Sequence, residues 1–425
     1  MSPALPTYDQ AVALVAGHGV RLRKLLPAAE SASLSSAAGR VLAQPLCADR
    51  DQPPFARSTR DGFACRAAEA SAHTPLNLVG ATRAGDAPAG PLPKGAAWEI
   101  MTGAPVPAGA NAVMMLEHVH AAGNTVRLLP PRKLKKGENV VVQGAQAREG
   151  EELLSAGTTI HSAQIALAAA CGYASLEVFV RPRVAILATG DELVPIDSSP
   201  APGQIRNSNA PMLAAMVAAA GGEPWVLPTV ADSETALDHA LAQAAEADML
   251  ILSGGVSAGR FDLVEPALAR AGARFHFTGV RIQPGKPLVF GELPYGELRR
   301  ANPAPKVRQA QCFFGLPGNP VSSAVTFLLF AAPILAALAG SRESGPRFAL
   351  ARLSKDTDKH GKPGLTRFLP ANCTFGAAGQ LPEVALVRWQ GSGDIAALAR
   401  SNCFLVIPEE TSTLEAGAIV RILLN

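Results

Sequence analysis

Asp191 and Glu192 stand side by side in a Thr189-Gly190-Asp191-Glu192 turn. Adjacent carboxylates beyond a buried strand can serve a site, although most such pairs in turns are simply solvated. This turn ends an apolar run, Val184 to Ala188, and the same plan recurs twice downstream. Met249 to Leu252 runs into Ser253-Gly254-Gly255-Val256-Ser257-Ala258-Gly259, and Cys312 to Leu316 into Pro317-Gly318-Asn319-Pro320. Consecutive glycines let backbone N–H groups converge on an anion, and they equally make a plain turn. Asp262, three residues beyond Gly259, fits a helix cap or a cation ligand. Gln283-Pro284-Gly285-Lys286-Pro287 presents one cation on a stiff loop, suited to a phosphate or other oxyanion, or to solvent alone. No Gly-x-x-x-x-Gly-Lys-Ser/Thr or Gly-x-Gly-x-x-Gly loop occurs, and the eight histidines show no metal-binding spacing.

The elements that must position these loops follow from periodicity. Short apolar runs ending in polar turns read as strands of a buried parallel sheet, with ligands expected beyond their carboxyl ends. Asn209 is placed to cap a helix over Ala210 to Ala219, which Gly221-Gly222 stops. Pro224 to Leu227 reads as a strand; Asp232 or Ser233 caps a helix running to Ala247; a helix over Asp262 to Arg270 and a strand over Arg274 to Phe277 follow. Val321 to Ala339 is almost wholly apolar, but Ser322, Ser323, Thr326 and Pro333 favour a buried helix over a membrane span. The fold class is therefore α/β, with a doubly wound, mostly parallel sheet in a central domain over 181–340.

Around that domain the texture changes. Thr7-x-x-Gln10 is a capping box opening one helix, and Ser36 to Gln44 and Ser162 to Ala170 read as two more. Segments 1–52 and 138–180 thus form a helical domain. Residues 53–137, where short β-rich pieces alternate with Gly and Pro, form a small inserted β-domain. After Gly345, Arg347 to Leu353, Val384 to Trp389, Cys403 to Ile407 and Ile419 to Leu424 read as strands of a barrel-like C-terminal β-domain over 341–425.

Composition bounds the function. Of 425 residues, 48% are hydrophobic and 17% charged, which describes a globular chain. A formal charge of +3 gives no nucleic-acid footprint. The six cysteines are scattered without a Cys-x-x-Cys pair, as expected of reduced, packed thiols in a cytoplasmic protein. Met1 to Gln10 has neither the basic region nor the apolar core of a secretory signal.

Six ordered stretches together resemble the molybdopterin molybdenumtransferases, the molybdenum insertases related to the E domain of gephyrin. They are Asp61-Gly62-Phe63-Ala64, Ile100 to Pro107, Thr189 to Leu193, Ser253 to Ser257, Pro284 to Pro287 and Gly315 to Pro320; Gln390-Gly391-Ser392-Gly393 and Asn402 also fit. The resemblance implies a homodimer of four-domain subunits that takes adenylylated molybdopterin and molybdate, hydrolyses the adenylate with Mg2+, and inserts molybdenum into the dithiolene. It implies catalytic roles for Asp61, Thr102, Glu192, Asp232 and Asp262, with Glu192 and Asp262 holding the metal. Thr189, Gly190, Asp191, Ser253, Gly254, Gly255, Ser257, Pro284, Gly285, Lys286, Pro317, Gly318, Asn319, Pro320 and Ser392 would contact the substrate. The adenylyltransferase that supplies the substrate and the molybdoenzymes that receive the product are the implied partners, with no nucleic acid or membrane. The chain departs from the family at Ser58-Thr59-Arg60, usually Ser-Ala-Met, at Ala145-Gln146, usually Glu-Asp, and at Gln283, usually Lys. Those losses admit a second reading, a scaffold that binds cofactor intermediates without turnover.

Overall fold

The computed structural model describes residues 5–25, 27–87, 89–255, 263–295, 310–343, 345–357, 364–376 and 379–425. The chain divides into two compact units: Met1–Ala43, Gly157–His161 and Ser175–Asn425 form the first, and Gln44–Ala156 with Ser162–Ala174 the second.

The first unit is organised by a six-stranded sheet ordered Glu223–Val226, Arg183–Ala188, Met249–Ser253, Ala310–Leu316, Val289–Pro294, Arg274–Thr278. The first four strands are mutually parallel; Val289–Pro294 runs antiparallel to its neighbour Ala310–Leu316, and Arg274–Thr278 at the edge runs antiparallel to Val289–Pro294. Side chains alternate between its two faces, as a period of two requires. Val184, Ile186, Met249, Ile251 and Phe314 enter one core with Leu213, Val217, Phe327 and Ile334 from helices. Ala185, Leu187, Leu250, Leu252 and Phe313 enter a second with Leu237, Leu241 and Leu268. Both faces are thus covered, which makes continuous apolar runs the right sequence signal for these strands. The Val289–Pro294 strand escapes that signal, because Gly291 and Glu292 interrupt its run.

Pro320–Leu338 forms one apolar helix with a π-helical stretch at Phe327–Ala331. Four-fifths of it is buried in the core (78% of an 18-residue window), as expected of a helix hydrophobic on every side. Tyr8–Arg23 is a helix with the anticipated capping box: Thr7 Oγ1 accepts from Gln10 N at 3.2 Å and Gln10 Oε1 from Thr7 N at 3.0 Å. No helix forms over 36–44. Ser33 and Ser36 exchange side-chain hydrogen bonds and Gly39 sits at φ +73°, so serine–backbone bonding turns the chain instead.

The C-terminal part of this unit is a closed five-stranded barrel. Phe348–Leu353 pairs with Ile419–Leu424, which pairs with Cys403–Ile407, then Thr366–Thr374, then Glu383–Leu386, and the parallel pairing of that strand with Phe348–Leu353 closes the ring. Closure removes exposed edges and buries Leu353, Val384, Leu405 and Ile422. Thr366–Thr374 carries Pro370 at its centre, a residue that argues against a strand from sequence alone.

In the second unit a six-stranded sheet runs Ala112–Met115, Gly62–Cys65, Ala96–Ile100, Leu76–Thr82, Thr125–Leu128, Val119–Ala122. Gly62 is forced by packing, since a Cβ there would lie 1.9 Å from the Met114 carbonyl oxygen. The Ser162–Ala170 helix belongs to this unit. All six cysteines are free thiols, five of them buried.

Candidate functional site at the strand ends

The first unit gathers the loops that follow Arg183–Ala188, Met249–Ser253 and Ala310–Leu316, because these three parallel strands are neighbours in register. Thr189 N donates to Ser253 O at 3.2 Å, and Gly254 N donates to Leu316 O at 3.2 Å, so ladder bonds carry the alignment into the loops. Gly254 and Gly255 adopt φ +91° and +63°. A Cβ on Gly254 would come within 2.8 Å of Thr189 O, and one on Gly255 within 2.8 Å of Thr189 Oγ1. Glycine is required there for close approach of two loops. The Gly254 N–H is already taken, so the anion cradle expected of this loop has one donor fewer than its glycines suggest.

Asn209 ties the arrangement together. Rather than capping its helix, it is the first residue of Asn209–Ala219. Its Nδ2 donates to Ser253 Oγ at 2.9 Å and to Gly318 O at 2.6 Å. It therefore bridges the second and third loops, a role that its capping position in the sequence concealed. Across the third loop, Asn319 Nδ2 donates to Ser392 Oγ at 2.9 Å, and Val321 N donates to Ser392 O at 3.1 Å. Ser323 Oγ fixes the turn by donating to Pro317 O at 2.6 Å. The helix beginning at Pro320 points its positive end at these loops.

The carboxylates lie on the first loop and its neighbour. Asp191 Oδ1 accepts from Asp232 N at 3.0 Å. The Glu192 carboxylate folds over Gly190, where a Cβ would meet Oε2 at 2.6 Å. Burial, then the charges of Asp191 and Glu192, raise the Asp232 carboxyl above its ordinary value. Asp191, Glu192 and Asp232 are three exposed oxygen donors on adjoining loops. Two buried oxygens in the same region, Thr189 Oγ1 and Asn209 Oδ1, have no hydrogen-bond partner among the described residues. Buried polar atoms are normally satisfied, so both are candidates to meet a bound ligand.

Pro284 and Gly285 are buried and Lys286 is exposed. A Cβ on Gly285 would lie 2.5 Å from Thr326 Cγ2, which seats this loop against the helix about 9 Å along from Pro320. In the second unit Asp61 and Thr102 are brought together: Thr102 N donates to Asp61 Oδ1 at 2.6 Å. Hydrogen bonds from the Thr102 backbone and side chain hold that exposed carboxyl below its usual range. Ser257 and Asp262 lie outside the described residues. A largely apolar cavity of about 580 Å³, lined in part by Met212, Met216, Phe327 and Leu328, contains none of the expected site residues.

Comparison with known proteins accounts for nearly the whole chain. Residues 6–172 match the MoeA N-terminal region (domain I and II), 185–337 a probable molybdopterin binding domain, and 351–424 the MoeA C-terminal region (domain IV). Curated relatives include the molybdopterin molybdenumtransferases of a Nostoc species, 36% identical over 93% of this chain and 88% of the relative, and of Bacillus subtilis, 35% identical over 93% and 89%. Among solved structures, the molybdopterin biosynthesis moeA protein of Pyrococcus horikoshii OT3 superposes with a TM-score of 0.77 at 29% identity, covering 99% of this chain and 100% of that one.

Proposed function

Since this chain belongs to the MoeA family of molybdopterin molybdenumtransferases, we propose that it inserts molybdenum from molybdate into adenylylated molybdopterin with release of AMP. The single observation that carries this reading is the joining of Thr189-Gly190-Asp191-Glu192, Ser253-Gly254-Gly255 and Pro317-Gly318-Asn319 into one hydrogen-bonded loop cluster at the carboxyl ends of parallel strands. One side of that cluster carries three carboxylates, and the other carries a helix N-terminus with Asn319 and Ser392.

In this division of labour, Asn209, Asn319 and Ser392 orient the pterin phosphate, and Thr189 Oγ1 offers it a hydrogen bond. Lys286 supplies a cation to an oxyanion. Glu192 and Asp262 are the proposed holders of Mg2+, with Asp191 and Asp232 beside Glu192. When bound, that ion would offset charge on the departing AMP phosphate. Asp61 and Thr102 complete the proposed catalytic set. A homodimer in the cytoplasm, fed by an adenylyltransferase and emptied by recipient molybdoenzymes, is the assembly we propose. We keep 1–52 with 138–180, 53–137, 181–340 and 341–425 as the proposed domain division.

The scaffold reading rests on the substitutions at Arg60, Ala145, Gln146 and Gln283. None of these removes a residue of the loop cluster, and the insertase reading is the one supported. Expression in a strain lacking its own insertase tests it: restored molybdoenzyme activity is expected, and failure despite soluble protein would sink the proposal.

A further inference from the structure

Far from the strand-end loops in sequence, the antiparallel edge of the central sheet gathers two histidines and a glutamate. His18 comes from the Tyr8–Arg23 helix, His276 from Arg274–Thr278 and Glu292 from Val289–Pro294. Their ligand atoms all lie within 4.8 Å of one another. His18 Nε2 is 3.4 Å from Glu292 Oε1, and His276 Nε2 is 3.4 Å from Glu292 Oε2. His18 is 2% exposed and the His276 side chain 12%. We propose that His18, His276 and Glu292 bind one zinc-class divalent metal ion, pinning the N-terminal helix to the sheet edge.

The distances decide between an ion site and a hydrogen-bonded trio. A charge-assisted N–H···O bond runs about 2.7–2.9 Å, so 3.4 Å is too long for one. Two ligands held about 2.0–2.1 Å from a tetrahedral ion are about 3.3–3.4 Å apart. Each histidine has that separation from its own carboxylate oxygen, Oε1 for His18 and Oε2 for His276. His276 Nε2 is moreover buried with no hydrogen-bond partner among the described residues, although it faces the carboxylate. Cys312 Sγ reaches the same His18 nitrogen at 3.3 Å and adds a soft atom at the point of convergence. Two imidazoles and a carboxylate suit zinc better than magnesium. Glu292, with a side chain 28% exposed, gives an ion its way in.

Arg21 Nη2 lies 2.6 Å from His18 Nδ1. Arg21 can only donate, so in the ion-free state the His18 proton sits on Nε2. Binding would move this single ring proton from Nε2 to Nδ1, freeing Nε2 for the ion and releasing exposed Arg21 to solvent.

The test is a titration of the full-length chain, stripped of metal, with Zn2+ in competition with a chromophoric chelator, and with Co2+ followed by absorption. One tight equivalent per chain is expected, weakened at least roughly 100-fold in His276→Ala, the upper range already seen for loss of a mere outer-shell partner. Glu292→Gln, which keeps size and a carbonyl oxygen, guards against a misfolded alanine variant and should lose the same equivalent with an unchanged circular dichroism spectrum. Glu192→Gln should keep it, since that carboxylate belongs to the other cluster. Absence of a tight equivalent in the wild type, or its survival in both His276→Ala and Glu292→Gln, would overturn the proposal.

Discussion

The two halves of the central sheet put the same backbone to different uses. In the parallel half, three neighbouring strands end in line, and their loops place Asp191, Ser253 and Gly318 in one hydrogen-bonded cluster open to solvent on its carboxylate side. In the antiparallel half, aromatic and imidazole rings fill the interior: Phe290 stacks on Phe314 at 4.6 Å, and His18 lies 5.3 Å edge-on to Phe290. The parallel half opens its loops to solvent, and the antiparallel half is closely packed around aromatic rings. Substitutions should therefore separate function from stability along one sheet.

The largest effect is expected in the packed half. Phe290 is fully buried, and Phe290→Ala should cost about 3–5 kcal/mol in denaturant unfolding. A loss below about 1 kcal/mol would mean that this edge is not a stability centre. In the open half, Gly254→Ala drives a Cβ against Thr189 O at 2.8 Å in a left-handed conformation. It should lower turnover about 100-fold, the usual scale for an ångström of misplacement, with a far smaller change in stability. Equal loss of both would erase the contrast.

Thr189→Val sharpens the comparison at lower cost. The valine keeps shape while removing a hydroxyl that has no partner among the described residues, so stability should hold or rise slightly. Molybdopterin affinity should fall about 10-fold if Oγ1 meets the ligand, about one hydrogen bond's worth. Affinity equal to wild type in a fluorescence titration would return Thr189 to a structural role.

Asp232→Asn should have the smallest effect on stability. The Asp232 carboxyl is raised chiefly by burial and then by Asp191 and Glu192. A raised carboxyl pKa favours the folded state at low pH, and that advantage is lost as pH rises through the folded-state value. The neutral asparagine avoids this loss, so the variant should melt slightly higher than wild type near pH 7, with the gain vanishing at acid pH. A melting temperature lowered at neutral pH would show that the carboxylate is stabilised, not strained.

How much of this was legible in the sequence follows from the same contrast. Parallel strands deliver site residues in short contiguous stretches, so Thr189 to Glu192, Ser253 to Gly255 and Pro317 to Pro320 could be read before their geometry was known. Their apolar runs also announced the sheet. Asn209 was misread because one asparagine can cap a helix or bridge two loops, and only the partners distinguish the two. The helix expected over 36–44 failed because serine side chains compete locally for backbone groups. Thr366–Thr374 hid behind Pro370, and Val289–Pro294 behind an interrupted apolar run. His18, His276 and Glu292 come from separate elements and have no spacing to detect. Their convergence exists only in the fold.

The central claim is that the open half carries a carboxylate-assisted molybdenum insertion. Its most direct test is AMP release from adenylylated molybdopterin in the presence of molybdate and Mg2+, comparing wild type with Glu192→Gln. Wild-type protein should release AMP in step with molybdenum incorporation, and the variant should be at least ~100-fold slower, the order expected for losing one electrostatic contributor, while remaining folded. Wild-type protein that binds the substrate without releasing AMP, or a Glu192→Gln variant that turns over at the wild-type rate, would contradict it.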